Sequence, residues 1–209
     1  MQMHPKTYRI FCDIEVDNPK AKEPNILEVA VVIVDKKFEQ YGEYSSPIHL
    51  DADRYNKNPV LDQSELVGLC KESKTTLADA EARINSLLDR VCFPGASAPV
   101  FVLAGLSPRS LDVPFIRKYL PKFASRLDPY HTFDVSTLIS AVEGSGMDVG
   151  LTKDFRPQHR ALKDVQDAIR AAQLIHNTLQ LLSSYLKVIN AKLAAAFEDQ
   201  DDSNSSDST

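Results

Sequence analysis

Residues Leu27 to Val34 read LEVAVVIV, an almost unbroken apolar run in which five of eight side chains are β-branched. A segment this short, apolar and crowded at Cβ predicts a buried β-strand. Tyr8 to Val16 mixes β-formers with acidic groups and predicts a second buried strand. A third is expected within Gln40 to Leu50, and the polar, turn-like stretch Asp51 to Pro59 closes what reads as a β-meander.

Helical patterns dominate the remainder. Thr76 to Val91 places Leu77, Ala80, Ile84, Leu87, Leu88 and Val91 at helical spacing, with Thr76 and Asp79 as a capping box variant. The turn FPGASAP follows, then a strand at Val100 to Leu103, a helix at Leu111 to Leu120 with Pro114 in its first turn, and a strand at His131 to Val135. From Ala161 to Ala196 apolar residues occupy several helix faces, which predicts two packed helices rather than one exposed rod. The closing FEDQDDSNSSDST is acidic, Ser-rich and aperiodic, and is expected to be disordered. The expected organisation is a catalytic domain over 1–180, a C-terminal helix packing on it over 181–197, and an acidic tail over 198–209.

The balance of the chain limits its partners. With 43% hydrophobic residues, 209 residues can bury a sizeable core, and a net charge of −5 supplies no general basic field for a long polyanion. Any nucleic-acid contact should therefore be local or use metal ions, and short substrates fit best. Cys12, Cys70 and Cys92 are odd in number and widely spaced, which points to no disulfide framework or zinc cluster and to a reducing compartment. No apolar h-region precedes the first strand and no transmembrane run occurs, so an intracellular protein is expected, cytoplasmic or mitochondrial, without a membrane partner.

Chemistry is concentrated in three places. Asp13 and Glu15 flank Ile14 inside a strand built to be buried, and alternation turns both carboxylates to one face. Two buried neighbouring carboxylates cost several kcal/mol, by order of magnitude, unless a cation or proton offsets their charge. A hard divalent ion is the natural offset, although a solvated acidic edge strand would carry the same residues. His159 stands in a loop five residues before Asp164, which lies in the opening turns of a helix, so both can face one cleft. Imidazole there can take a proton from a polarised water, or it can act as a simple cap. Asp112, just before Pro114, is by itself an ordinary helix N-terminal carboxylate.

In order and spacing, FCDIEVDN, AGLSPRSLDVPFIRKYLP, YHTFDVSTL and HRALKDVQDAIRAAQLI resemble the DEDDh 3′→5′ exonucleases, and within them most closely the oligoribonucleases. The resemblance covers most of residues 8 to 176. It implies an RNase H-like α/β fold with a mixed five-stranded sheet flanked by helices. It also implies roles: Asp13 bridging two metal ions, Glu15 and Asp164 completing one site, Asp112 supporting the other, and His159 as general base. Two such ions, about 4 Å apart, activate the nucleophile and stabilise the leaving 3′ oxygen, and oxygen-rich sites suit Mg2+ or Mn2+.

The implied activity is exoribonuclease cleavage of short single-stranded RNA to nucleoside 5′-monophosphates by a homodimer. Ser107 and Ser136 match residues that hold the substrate 5′ phosphate, and Tyr130 matches one that reaches the partner subunit's site; by themselves Ser107 reads equally as a turn residue, Ser136 as a helix N-cap and Tyr130 as a packing residue. This chain departs from the family pattern at His131, where an arginine is usual, and at Leu106, where an asparagine is usual; it also has no tryptophan. His131 is a pH-dependent cation without the guanidinium fork. Single-stranded DNA or longer RNA 3′ ends are accordingly alternative substrates, and a non-catalytic RNA-binding scaffold is the alternative outside enzymology.

Overall fold

The computed structural model describes residues 5–58, 61, 64–93, 97–110, 112–147 and 159–205. Three strands come first: β1 (Thr7–Val16), β2 (Ile26–Val34) and β3 (Gln40–Pro47) form the expected meander. Helices α1 (Leu66–Glu72) and α2 (Leu77–Arg90) follow, then strand β4 (Val100–Gly105). Next are α3 (Asp112–Tyr119), α4 (Pro121–Ala124), β5 (Leu127–Asp134) and α5 (Val135–Gly144), and the last element is α6 (Ala161–Ser205). The sheet order is β3-β2-β1-β4-β5, antiparallel among the first three strands and parallel where β1 meets β4 and β4 meets β5. This is the mixed five-stranded sheet flanked by helices that the sequence led us to expect.

All nine residues of β2 are buried, as an apolar run between two covered faces requires. One sheet face carries Tyr8, Ile10 and Cys12 of β1, Val29, Val31 and Ile33 of β2, and Phe101 and Leu103 of β4. Against it pack Ala80, Ile84 and Leu88 of α2, Ile116 of α3 and Phe123 of α4. The residues between them on β1, namely Phe11, Asp13 and Glu15, alternate to the other face. There Ala30 stands opposite Asp13, and Glu28 opposite Glu15.

Helix α2 begins as its sequence foretells. The Thr76 hydroxyl accepts the Asp79 amide at 3.2 Å, and the Asp79 carboxylate accepts the Thr76 amide at 3.0 Å. Gly105 allows β4 to run close to β1, since a Cβ there would lie 3.1 Å from the Cys12 carbonyl oxygen.

Two expectations are corrected. The last strand starts at Leu127 rather than His131 and ends at Asp134, with Val135 opening α5. Pro129 lies inside this strand, which tolerates it because β5 is an edge strand, where a missing amide costs no ladder bond. The two packed helices expected from Ala161 are one element, and helix extends to Ser205, into the segment expected to be disordered. Once a helix is nucleated, adding residues costs little, so polar sequence can prolong it. The FPGASAP turn, Leu111 and the last four residues of the tail lie wholly or partly outside the described residues. Contacts divide the chain into two compact units, 1–172 and 173–209. Among the described residues no helix is long and apolar enough to cross a membrane.

Candidate active site

Strand β1 delivers Asp13 and Glu15 to the sheet face away from the main core, close to its carboxyl end. The first turn of α6 brings in Asp164. One carboxylate oxygen from each of the three residues lies within 4.8 Å of the others. Asp112 opens α3 and is 5% exposed.

The electrostatics of this cluster are those of charge forced out of water. Burial first, then the neighbouring charges of Glu15 and Asp164, pushes Asp13 from 3.8 up to about 8. Glu15 rises from 4.5 to about 7 through burial and the charge of Asp164. Asp112 rises from 3.8 to about 8, again through burial and then the charge of Asp13, with backbone amides of Ile14 and Asp112 pulling the other way. Asp13 Oδ2 is also buried with no hydrogen-bond partner. A buried acceptor without a donor, ringed by like charges, fits a hard divalent cation: oxygen donors supply the coordination and the cation removes the repulsion.

His159 sits beside this group, with Nδ1 3.9 Å from Glu15 Oε2 and its side chain 45% exposed. Its φ of 53° places it in the left-handed region, which turns the chain sharply just before α6 begins. The residues that hold this corner were not picked out by sequence reasoning. Glu28, only 1% exposed, takes Arg160 Nε at 3.3 Å on Oε2 and Arg160 Nη2 at 3.2 Å on Oε1, and its Oε2 also accepts the Ala161 amide at 2.9 Å. One buried carboxylate thereby ties the start of α6 to β2 through a side-on guanidinium pair and a helix N-terminal amide. The available signal was a single charged residue inside LEVAVVIV.

Asp17 was also missed. It is fully buried and accepts the amides of Asn18 (2.7 Å), Asn25 (2.9 Å) and Asn56 (2.9 Å), besides the side-chain amides of Asn25 (2.7 Å) and Asn56 (2.9 Å). It therefore shapes the loop leaving β1 just beyond Glu15.

Ser107, in the turn after β4, and Ser136, in the first turn of α5, come to one point, with the Ser107 hydroxyl donating to Ser136 Oγ at 3.1 Å. Asp134 gathers them: its Oδ1 accepts the amides of Ser107 (3.2 Å), Ser136 (2.9 Å) and Thr137 (3.3 Å). Asp134, not Ser136, is therefore the cap of α5. Tyr130, 79% exposed, and His131 lie on β5, two strands from β1. His131 Nδ1 is 3.2 Å from both oxygens of Asp128. Among the described residues, neither Tyr130 nor His131 makes a hydrogen bond or ion pair with the carboxylate group.

No protein-family profile matches the chain. It is 29% identical over 167 residues to an oligoribonuclease of Azoarcus sp. (strain BH72), covering 77% of this chain and 88% of that protein. The human protein named mitochondrial oligoribonuclease is 27% identical over 185 residues, covering 81% and 72%. Among solved structures, the zinc-bound form of the E. coli exonuclease I complex with single-stranded DNA has a TM-score of 0.62 at 20% identity, covering 91% of this chain. Exonuclease I of Methylocaldum szegediense has a TM-score of 0.61 at 15% identity, covering 82%. The chain spans less than half of these structures, 45% and 40% respectively, and the likeness to them is one of fold.

The mixed sheet bearing this carboxylate group is similar in fold to that of exonuclease I, and the chain is similar in sequence to oligoribonucleases.

Proposed function

We propose that this exonuclease removes nucleoside 5′-monophosphates one at a time from the 3′ ends of short single-stranded RNA. The observation that carries the reading is the group formed by Asp13, Glu15 and Asp164, in which Asp13 Oδ2 is buried without a donor. Asp13, Glu15, Asp164 and Asp112 would hold two divalent cations, Mg2+ or Mn2+, which when bound offset phosphate charge and lower the pKa of the attacking water. His159, half exposed and next to Glu15, accepts the proton of that water. The Glu28 and Arg160 pair keeps His159 and Asp164 on the same side of the sheet as Asp13. Ser107 and Ser136 would hold a substrate phosphate, the Ser136 hydroxyl accepting from Ser107 and keeping its own proton to donate. Tyr130 belongs to a homodimer contact, which its exposure supports.

His131 favours a second reading, in which single-stranded DNA or longer RNA ends are also cut. Its imidazole is engaged by Asp128 and has no guanidinium fork with which to cap a short substrate's phosphate. The test is monophosphate release from labelled RNA and DNA oligomers of graded length, in Mg2+ and in Mn2+, with His159→Ala alongside. Short RNA should be cut fastest and His159→Ala should lose about 100-fold or more in kcat. If two-mers are cut no faster than seven-mers, the short-RNA reading fails. If His159→Ala keeps wild-type turnover, its role as base fails.

A further inference from the structure

The chain as a whole is acidic, yet one segment beside the carboxylate group is basic. From Leu106 to Leu127 it carries Arg109, Arg117, Lys118, Lys122 and Arg126 against Asp112 alone, in a protein of net charge −5. These residues form the turn after β4, then α3, α4 and the start of β5, so the segment runs from Ser107 and Asp112 of the candidate site out to an edge of the sheet. All of it belongs to the first compact unit.

Between α3 and β5 this segment walls a groove of about 390 Å³. Leu103 and Ile116 are buried beneath it, Val113 and Leu127 are half-buried along it, and Pro114 and Pro129 are exposed. Arg126 is paired with Asp89. Arg109 and Arg117 line the groove, both exposed, and among the described residues neither guanidinium has a hydrogen bond or an ion pair. Asp128, the one acid of the lining, is already engaged: its Oδ1 accepts the amides of Tyr130 (2.8 Å) and His131 (2.9 Å), and both its oxygens lie 3.2 Å from His131 Nδ1.

Unpaired cations beside an apolar bed suit a ligand with anionic groups on one side and flat apolar rings on the other. A single-stranded polynucleotide has this make-up, since its phosphates pair with guanidinium forks while its bases cover apolar surface. A lipid surface is entered by apolar side chains that project, whereas these line a recess. An acidic protein would match the charge, but the segment that carries both arginines also carries Ser107 and Asp112, so a nucleic acid with its 3′ end at the carboxylates passes the groove.

We propose that the groove between α3 and β5 is a subsite for nucleotides upstream of the terminal two, with Arg109 and Arg117 holding their phosphates. The assignment rests on the exonuclease reading and deepens it: affinity grows as the substrate lengthens past two nucleotides, while turnover stays set by the carboxylate group. It does not need Tyr130, which suits the proposed homodimer contact.

KM and kcat for RNA two-mers and seven-mers in Mg2+ test it, in wild type, Arg109→Ala/Arg117→Ala and Arg109→Lys/Arg117→Lys. Fluorescence anisotropy in chelator, at several salt concentrations, follows binding of labelled seven-mers and of a labelled oligoglutamate. Both arginines are exposed, so the three proteins should share one Tm. The alanine variant should raise KM and Kd for seven-mers about 10-fold, keep KM for two-mers within about 2-fold, and flatten the slope of log Kd against log salt by about 1.4, the share of two phosphates on a single strand. The lysine variant, which keeps both charges, should keep the slope. Equal losses on two-mers and seven-mers, or no loss on seven-mers, overturn the subsite. A loss confined to oligoglutamate also overturns it and makes the groove a contact for an acidic protein. If wild type hydrolyses neither RNA, the exonuclease reading fails, and the anisotropy still decides the groove.

Discussion

Arg160→Met should destabilise the protein more than Glu28→Gln, although the two residues form one ion pair. The side chain of Glu28 is 2% exposed and that of Arg160 is 45% exposed. Removing Arg160 strips two charge-assisted hydrogen bonds from a carboxylate that cannot reach water and leaves it the Ala161 amide alone. An uncompensated buried charge of this kind costs about 3 kcal/mol. Glu28→Gln keeps the shape and one oxygen for the Ala161 amide, and the freed guanidinium turns to solvent. Its cost is about 1 kcal/mol. For a chain of this length these correspond to drops in Tm of roughly 9 °C and 3 °C. Urea unfolding of both variants and of Glu28→Gln/Arg160→Met, in metal-free buffer, measures the difference. The double variant should fall nearer to Glu28→Gln than to the sum, a coupling of about 2 kcal/mol. Because the pair sets the start of α6, kcat should fall in both single variants. Equal or reversed destabilisation would refute the view that the buried carboxylate is the group at stake.

Metal-free protein should lose stability as pH rises. Asp13, Glu15 and Asp112 hold protons in the folded state up to about 8, 7 and 8, while the unfolded chain releases them near 3.8, 4.5 and 3.8. Between these limits the folded state binds more protons, so unfolding free energy declines with pH across the window from about 4 to 8. Tm measured by scanning calorimetry in chelator should fall over that range, and a flat profile would contradict the clustering. Asp13→Asn should abolish hydrolysis yet raise Tm in chelator at pH 8, by relief of repulsion; unchanged turnover would remove Asp13 from the mechanism. Mg2+ should raise the wild-type Tm more at pH 8.5 than at pH 6, because the cation competes with protons for the same oxygens. Thr76→Ala should cost about 1 kcal/mol through loss of the α2 cap, with kcat on oligomers unaltered.

Much of the site was legible because its chemistry is local in sequence. Asp13 and Glu15 share a strand face by simple alternation, and His159 and Asp164 lie five residues apart across a helix start. The cap at Thr76 and Asp79 was equally readable, since both partners fall within four residues. Glu28 and Arg160 were not, because they are 132 residues apart and pair only once α6 lies beside β2. The start of β5 was not legible for a related reason: whether a strand can hold Pro129 depends on its lying at the sheet's edge, and that is a property of topology.

From its residues alone, this chain's strands, its α2 helix and the paired carboxylates Asp13 and Glu15 could be named, because each follows from spacing, propensity and the cost of burying like charges, whereas Asp112 entered only through the family resemblance. Tertiary structure decided which of those groups meet. It joins Asp13, Glu15 and Asp164 within 4.8 Å, gathers Ser107 and Ser136 around Asp134, and leaves Tyr130 and His131 on an outer strand. Proximity between distant segments depends on strand order and on where helices cross the sheet, and no local pattern encodes that.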